Sequence, residues 1–245
     1  MSQAFPRRDA RPPPLRRGSI PLRIAALAPL GVAAVWAAGP AAGADSRGQL
    51  AGGAVFLLVC WAVSRLVGRS YPHPRLGACN VVTLARAALV CALLVPLVDG
   101  RPAGWGVAAV AAVALLLDGA DGWLARRSGL VSRFGARFDV EVDAALALVL
   151  SLHALAGTSA GGEVLVLGVT RYAFVIAAFA WPWLAGDLPP SNRRKRICVL
   201  QIATLILLQT TLLTEDQAVL LARATAATLI WSFARDIGFL RRQRG

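Results

Sequence analysis

Long apolar runs recur along the whole chain, and each is close to the ~20 residues that an α-helix needs to span a bilayer. The runs lie at 22–42, 49–68, 79–98, 103–124, 138–157, 164–184, 197–214 and 217–238. Hydrophobic residues make up 57% of the chain and charged residues only 16%, which is well below the charged fraction of about a quarter in soluble domains. The sequence therefore predicts an all-α polytopic membrane protein with eight spans.

Basic residues are concentrated in alternate connections between these runs. The clusters lie at 7–17, 65–75, 126–137, 193–196 and 241–244. Because cytoplasmic loops carry an excess of Lys and Arg, the alternation predicts that both termini and the 125–137 loop are cytoplasmic. The net charge of +13 is then explained by orientation and by attraction to anionic lipid headgroups. Short clusters between apolar runs do not form one basic face, so no nucleic-acid partner is expected.

Four aspartates flank the 125–137 loop in two pairs. Asp118 and Asp121 are three residues apart at the end of the fourth run, and Asp139 and Asp143 are four apart at the start of the fifth. Both spacings place a pair on one face of a helix. A short hairpin between antiparallel helices would bring the two pairs together near the cytoplasmic surface.

Four carboxylates at the edge of the hydrocarbon region require positive charge to neutralise them. Mg²⁺ or Mn²⁺ suits carboxylate and phosphate oxygens, and two such ions would balance four negative charges. The alternative is that the aspartates are solvated and paired with the arginines of the same loop. Gly122, Ala125 and Gly135 are small, so we expect backbone to approach a ligand closely at these positions.

The spacing D-x2-D-G-x2-A-R-x8-G-x3-D-x3-D, from Asp118 to Asp143, matches the signature of the CDP-alcohol phosphotransferase family at every defined position. Asn80, Thr83 and Arg86 resemble the N-x2-T-x2-R motif that opens the first core helix of that family. The stretch Arg193–Arg196 resembles the basic start of its fifth core helix, but Lys195 is followed by Arg196 where the family commonly has Thr. The resemblance covers about 75–238.

Composition, the distribution of basic residues and this resemblance together predict a division of the chain into three parts. Residues 1–20 would be a disordered basic cytoplasmic tail, 21–70 would form two additional transmembrane helices, and 75–240 would form the six-helix catalytic domain. The integral protein would lie in a bacterial plasma membrane with its active site facing the cytoplasm. The sequence does not decide between a monomer and a homodimer.

The resemblance also implies roles for individual residues. The metal ligands would be Asp118, Asp121, Asp139 and Asp143. Asp143 would also be the catalytic general base that takes the proton of the acceptor hydroxyl. The CDP-linked donor would be bound by residues of both motifs, namely Asn80, Thr83, Arg86, Gly122, Ala125 and Arg126, with Gly135 nearby.

Further basic residues are weaker candidates for binding the acceptor alcohol. An ionisable side chain within an apolar run, such as Arg171, is a functional candidate, although a structural ion pair explains it equally well. Arg194, Lys195 and Arg196 join it as candidates for an acceptor phosphate.

The leading hypothesis is an enzyme of phospholipid biosynthesis that transfers a phosphatidyl group from CDP-diacylglycerol to an alcohol and releases CMP. Inositol phosphate, glycerol phosphate and serine are all open as acceptors. One alternative is a transferase that uses CDP-choline or CDP-ethanolamine with diacylglycerol as acceptor. Another is a membrane transporter of metal ions or solutes, which would place its acidic residues near the bilayer midplane.

Overall fold

A computed structural model describes residues 19–42, 45–71, 76–100, 104–128, 132–158, 160–189 and 191–243, with the backbone alone at 19, 68–70 and 120–128. Within these ranges the chain forms eight α-helices and no β-strand. The helices are α1 (Ser19–Ala38), α2 (Ser46–Ser70), α3 (Ala78–Val98), α4 (Trp105–Ser128), α5 (Arg133–Gly157), α6 (Val164–Ala180), α7 (Asn192–Leu208) and α8 (Glu215–Arg242). The predicted all-α class is confirmed. Most of the predicted tail at 1–20 lies outside the described residues.

Five of these helices are long and apolar enough to cross a membrane. They are α1, α2, α3, α5 and α8, whereas α4 and α6 contain shorter apolar segments of up to 17 residues. Each of the eight predicted runs corresponds to one helix, but α7 begins with the basic stretch of Asn192–Arg196 and is not among these apolar segments. Eight complete spans with both termini in the cytoplasm therefore stay a prediction.

Helix ends follow capping residues and prolines rather than the edges of the apolar runs. Ser132 caps α5 by accepting a hydrogen bond from the Gly135 backbone N–H at 2.9 Å, so this helix begins five residues before the predicted run. The predicted run 164–184 is interrupted, since α6 ends at Ala180 and a short 3₁₀-helix follows at Pro182–Ala185. Proline disfavours helical backbone in the residue before it, which accounts for the break.

The helix α3 lies at the centre of the bundle and packs against α1, α2, α4 and α5. Its buried residues lie on several faces and include the polar side chains of Asn80, Thr83 and Arg86. The three residues of the N-x2-T-x2-R motif are therefore enclosed by protein. They can act only on groups that reach the interior of the bundle.

The two N-terminal helices pack tightly onto α3. At Gly52 of α2, a Cβ atom would lie 3.0 Å from the backbone oxygen of Cys91, so glycine permits the close approach of the two helices. Phe56 of α2 is fully buried and lies against Gly31 of α1. The α1–α2 pair thus shares a core with α3, while the division into segments 21–70 and 75–240 stays a prediction.

Candidate active site

Three of the four signature aspartates converge between α4 and α5. One carboxylate oxygen each from Asp118, Asp139 and Asp143 lies within 4.8 Å of the others. Asp118 comes from the C-terminal half of α4, and the other two lie one turn apart near the start of α5, which the Ser132 cap positions. The backbone of Asp121 continues α4, but its side chain is outside the described residues, as are those of Gly122, Ala125 and Arg126.

A buried arginine lies at the centre of this cluster. The Arg86 side chain is fully buried, and its Nη1 lies 3.1 Å from Asp118 Oδ1 and 2.5 Å from Asp139 Oδ1. Its Nη2 donates to Asp143 Oδ1, and its Nε donates to the Ala114 backbone oxygen at 3.0 Å. The resemblance placed Arg86 near the CDP donor. The structure adds that Arg86 is the shared ion-pair partner of the aspartates, which the sequence-based charge balance had omitted.

The donor set suits a hard divalent cation. Three carboxylates against one guanidinium leave two negative charges uncompensated in a partly buried cluster. The contacts with Arg86 engage Oδ1 of each aspartate and leave each Oδ2 without an ion pair among the described residues. Oδ2 of Asp143 accepts only a long contact of 3.8 Å from the Cys198 thiol. Carboxylate oxygens are the ligands that Mg²⁺ and Mn²⁺ prefer. The aspartate cluster therefore fits the predicted metal ions.

The aspartates open into a cavity of about 490 Å³ that α4 to α8 enclose. Its walls are largely apolar, with Leu115, Phe174 and Phe233 among the lining residues. Its charged lining residues are Asp118, Asp139, Asp143, Arg171, Arg194, Lys195 and Asp236. The cavity thus combines a carboxylate cluster, basic side chains and an apolar wall.

The basic side chains around the cavity differ in their partners. Arg171 Nη2 lies 2.6 Å from Glu141 Oε1, and Arg194 Nη1 lies 3.5 Å from Asp236 Oδ1. Lys195 lines the cavity and makes no ion pair within 4.0 Å in the part of the chain that the structure describes. Arg196 is exposed and is not a lining residue. Of the four predicted acceptor-binding residues, Arg171, Arg194 and Lys195 therefore reach the cavity.

Asp236 is a cavity residue that the sequence analysis missed. Its carboxylate lies 2.5 Å from Arg193 Nη2, and Arg193 also donates to Ser232 Oγ at 2.6 Å. The available signal was an acidic residue inside the apolar run 217–238, where an ionisable side chain is costly without a function or a partner. Asp236 links α8 to the basic start of α7.

Cys198 is a second residue that the sequence analysis missed at this site. Its Sγ lies 3.8 Å from Asp143 Oδ2, and it lines the cavity. Helical spacing from Lys195 was the available signal, because residues three apart share a face of α7.

The remaining motif residues lie at the start of α3. Asn80 is 3% exposed, and its side-chain amide faces Gly135 of α5, where a Cβ atom would lie 2.6 Å from Asn80 Oδ1. Thr83 is also buried, and its hydroxyl donates to the Cys79 backbone oxygen at 2.9 Å. The glycine at 135 thus leaves room for the Asn80 side chain, which a Cβ atom would displace. This finding refines the expectation that its backbone approaches a ligand.

Comparison with known proteins identifies the family of this chain. The family model described as CDP-alcohol phosphatidyltransferase matches residues 76–233, which is well over half of the chain and extends from the start of α3 into α8. The searches of curated proteins and of solved structures give no match. The matched region contains Arg86, the converging aspartates and every residue that lines the cavity except Asp236. The chain therefore belongs to the CDP-alcohol phosphatidyltransferase family.

Proposed function

We propose that the protein transfers the phosphatidyl group of CDP-diacylglycerol to a small polar alcohol and releases CMP in phospholipid biosynthesis. The observation that supports this most directly is the carboxylate cluster that lines a cavity with largely apolar walls. A lipid donor can place its pyrophosphate at the aspartates while its apolar part stays within the bundle or the bilayer. The alternating basic loops support a site that faces the cytoplasm.

The reaction exchanges one phosphorus–oxygen bond for another. The acceptor hydroxyl oxygen forms a bond to the phosphorus that carries diacylglycerol, and the bond from that phosphorus to the oxygen of CMP breaks. CMP leaves with the bridging oxygen, and the hydroxyl proton passes to Asp143 and then to solvent. A general base of this kind typically contributes about 10²–10⁴ in rate.

Asp118, Asp121, Asp139 and Asp143 would hold Mg²⁺ or Mn²⁺. A bound ion would supply charge neutralisation for the pyrophosphate and for the leaving CMP. Both carboxylate oxygens of Asp143 have a described partner, since its Oδ1 accepts from Arg86 and its Oδ2 faces Cys198. Arg86 thereby orients the proposed base, while Arg86 itself is not among the lining residues of the cavity.

A screen of donors against acceptors tests this function. The purified protein with Mg²⁺ is supplied with CDP-diacylglycerol and either glycerol phosphate, inositol phosphate or serine, and CMP release is measured. We expect release from CDP-diacylglycerol with one acceptor class. The matched control is Asp143→Asn, which keeps the side-chain size and should lower turnover about 10²–10⁴-fold while donor binding persists.

Two results of this screen would contradict the proposal. Release of CMP only from CDP-choline or CDP-ethanolamine with diacylglycerol would identify a transferase of the other donor class. Absence of CMP release with every donor, together with metal or solute uptake into liposomes, would identify a transporter. Near-normal turnover of Asp143→Asn would contradict only the assignment of Asp143 as the general base.

A further inference from the structure

A buried tyrosine connects the end of α2 to the start of α3. Tyr71 directly follows α2 and is 8% exposed. Its hydroxyl oxygen accepts hydrogen bonds from Asn80 Nδ2 at 3.0 Å and from the Gly77 backbone N–H at 3.2 Å. Its ring packs edge-on against Phe134 of α5, with ring centroids 6.1 Å apart. The hydroxyl therefore contacts the N-x2-T-x2-R motif, and the ring contacts the helix that carries Asp139 and Asp143.

The side-chain amide of Asn80 has one polar atom with a hydrogen-bond partner and one without a partner among the described residues. Asn80 Nδ2 donates to Tyr71, whereas Oδ1 is buried and has no hydrogen-bond partner among the described residues. A buried acceptor without a partner is unfavourable, so such an atom calls for a donor from a ligand or water. Oδ1 lies beside Gly135, which is one helical turn before Asp139. The atom therefore lies against the helical turn of α5 that precedes Asp139.

We propose that Tyr71 is a positioning residue for the nucleotide donor, which acts by holding the Asn80 amide with Oδ1 directed to an N–H or O–H of the bound CDP group. This inference rests on the proposed function. Tyr71 lies outside the family match at 76–233. The α1–α2 pair would therefore contribute to donor affinity through one side chain, although it holds no residue of the family signature.

The variant Tyr71→Phe tests the inference because it removes the hydroxyl and keeps the ring against Phe134. Loss of one hydrogen bond of ordinary strength corresponds to an increase of about three- to tenfold in the KM for CDP-diacylglycerol and in the Kd for CMP. We expect kcat to stay within about twofold, because the two described partners of the hydroxyl, Asn80 and Gly77, are not among the aspartates. The matched control is Ser64→Ala on α2, whose hydroxyl donates to the Cys60 backbone oxygen of the same helix at 2.7 Å.

A double-mutant cycle with Asn80→Ala separates positioning from a general structural effect. If Tyr71 acts through Asn80, then Tyr71→Phe should not raise the donor KM further in the Asn80→Ala background. Equal increases in both backgrounds would overturn the inference. So would an unchanged KM in the single variant, or a lowered thermal stability with unchanged KM.

Direct binding of CMP keeps this test independent of the proposed function. If the wild-type protein releases no CMP from any donor, the proposed function fails. The Kd for CMP of the wild type and of Tyr71→Phe still decides the role of Tyr71. A CMP affinity that Tyr71→Phe leaves unchanged would overturn the inference whether or not the wild type is active.

Discussion

Two basic side chains lie near the same aspartates but in opposite settings. Arg86 on α3 is fully buried and contacts three carboxylates, whereas Lys195 on α7 is exposed and lines the cavity. The described ion pairs of Arg86 are all with aspartates of this chain. Lys195 has no carboxylate within 4.0 Å in the described segments, so its ammonium group is free to bind an anionic ligand.

The difference follows from the cost of removing a charge from water. A buried cation is tolerated only with paired carboxylates, and buried carboxylates need a cation, so Arg86 and the aspartates depend on each other. An exposed lysine stays hydrated and needs no partner to be stable. Burial thus distinguishes Arg86, whose charge stabilises the aspartate cluster, from Lys195, whose charge can bind a substrate.

Removal of divalent ions should have the largest effect, because Arg86 alone supplies one positive charge to three described aspartates. Treatment with EDTA should reduce CMP release from CDP-diacylglycerol to background, and added Mg²⁺ or Mn²⁺ should restore it. The measurement is CMP release at increasing concentrations of free metal ion. Activity that survives thorough chelation would show that Arg86 is a sufficient counter-ion, and the metal mechanism would be wrong.

Replacing Arg86 should have the second-largest effect. Arg86→Leu leaves three partly buried carboxylates unpaired, and breaking a buried ion pair costs about 3–5 kcal/mol in the free energy of unfolding. The control is Arg223→Leu, because Arg223 Nε contacts Glu163 Oε1 at 2.8 Å in an exposed pair. Thermal and denaturant unfolding in detergent should show a large loss for Arg86→Leu and little change for Arg223→Leu.

The variant Arg86→Lys makes this comparison sharper. It keeps the charge but loses the planar guanidinium group, whose three nitrogens together contact both α4 and α5. We expect stability between that of the wild type and that of Arg86→Leu. Wild-type stability of Arg86→Leu would mean that the aspartates do not need the buried cation.

Local sequence patterns were sufficient to predict the helices and the shared helical face of Asp139 and Asp143. Asp139 and Asp143 share a face of α5 because residues four apart do so in any α-helix, and an apolar run of sufficient length predicts a spanning helix. The residues at which the helices begin and end were harder to predict from the sequence. Hydropathy marks only the apolar part of a helix, whereas the actual start of α5 depends on the Ser132 cap.

Contacts between distant parts of the chain could not be predicted from these patterns. Arg86 meets Asp139 and Asp143 across separations of 53 and 57 residues, and Arg193 meets Asp236 across 43. Such pairs depend on the order and tilt of helices in the bundle. Periodicity within one helix does not contain that information, so the basic stretch 193–196 looked uniform although its members have different partners.

The smallest effect is expected at Lys195, and it tests whether the unpaired cation selects the acceptor. If the acceptor is phosphorylated, Lys195→Met should raise the acceptor KM about tenfold, which is the loss expected for one charge-assisted hydrogen bond. Arg194→Met should have a smaller effect, because Arg194 is shared with Asp236 at 3.5 Å. Lys195→Arg, which keeps the charge, is the matched control. With serine as acceptor, Lys195→Met should change the KM much less. An equal effect of Lys195→Met on both acceptor types would mean that Lys195 supports the cavity without reading acceptor charge.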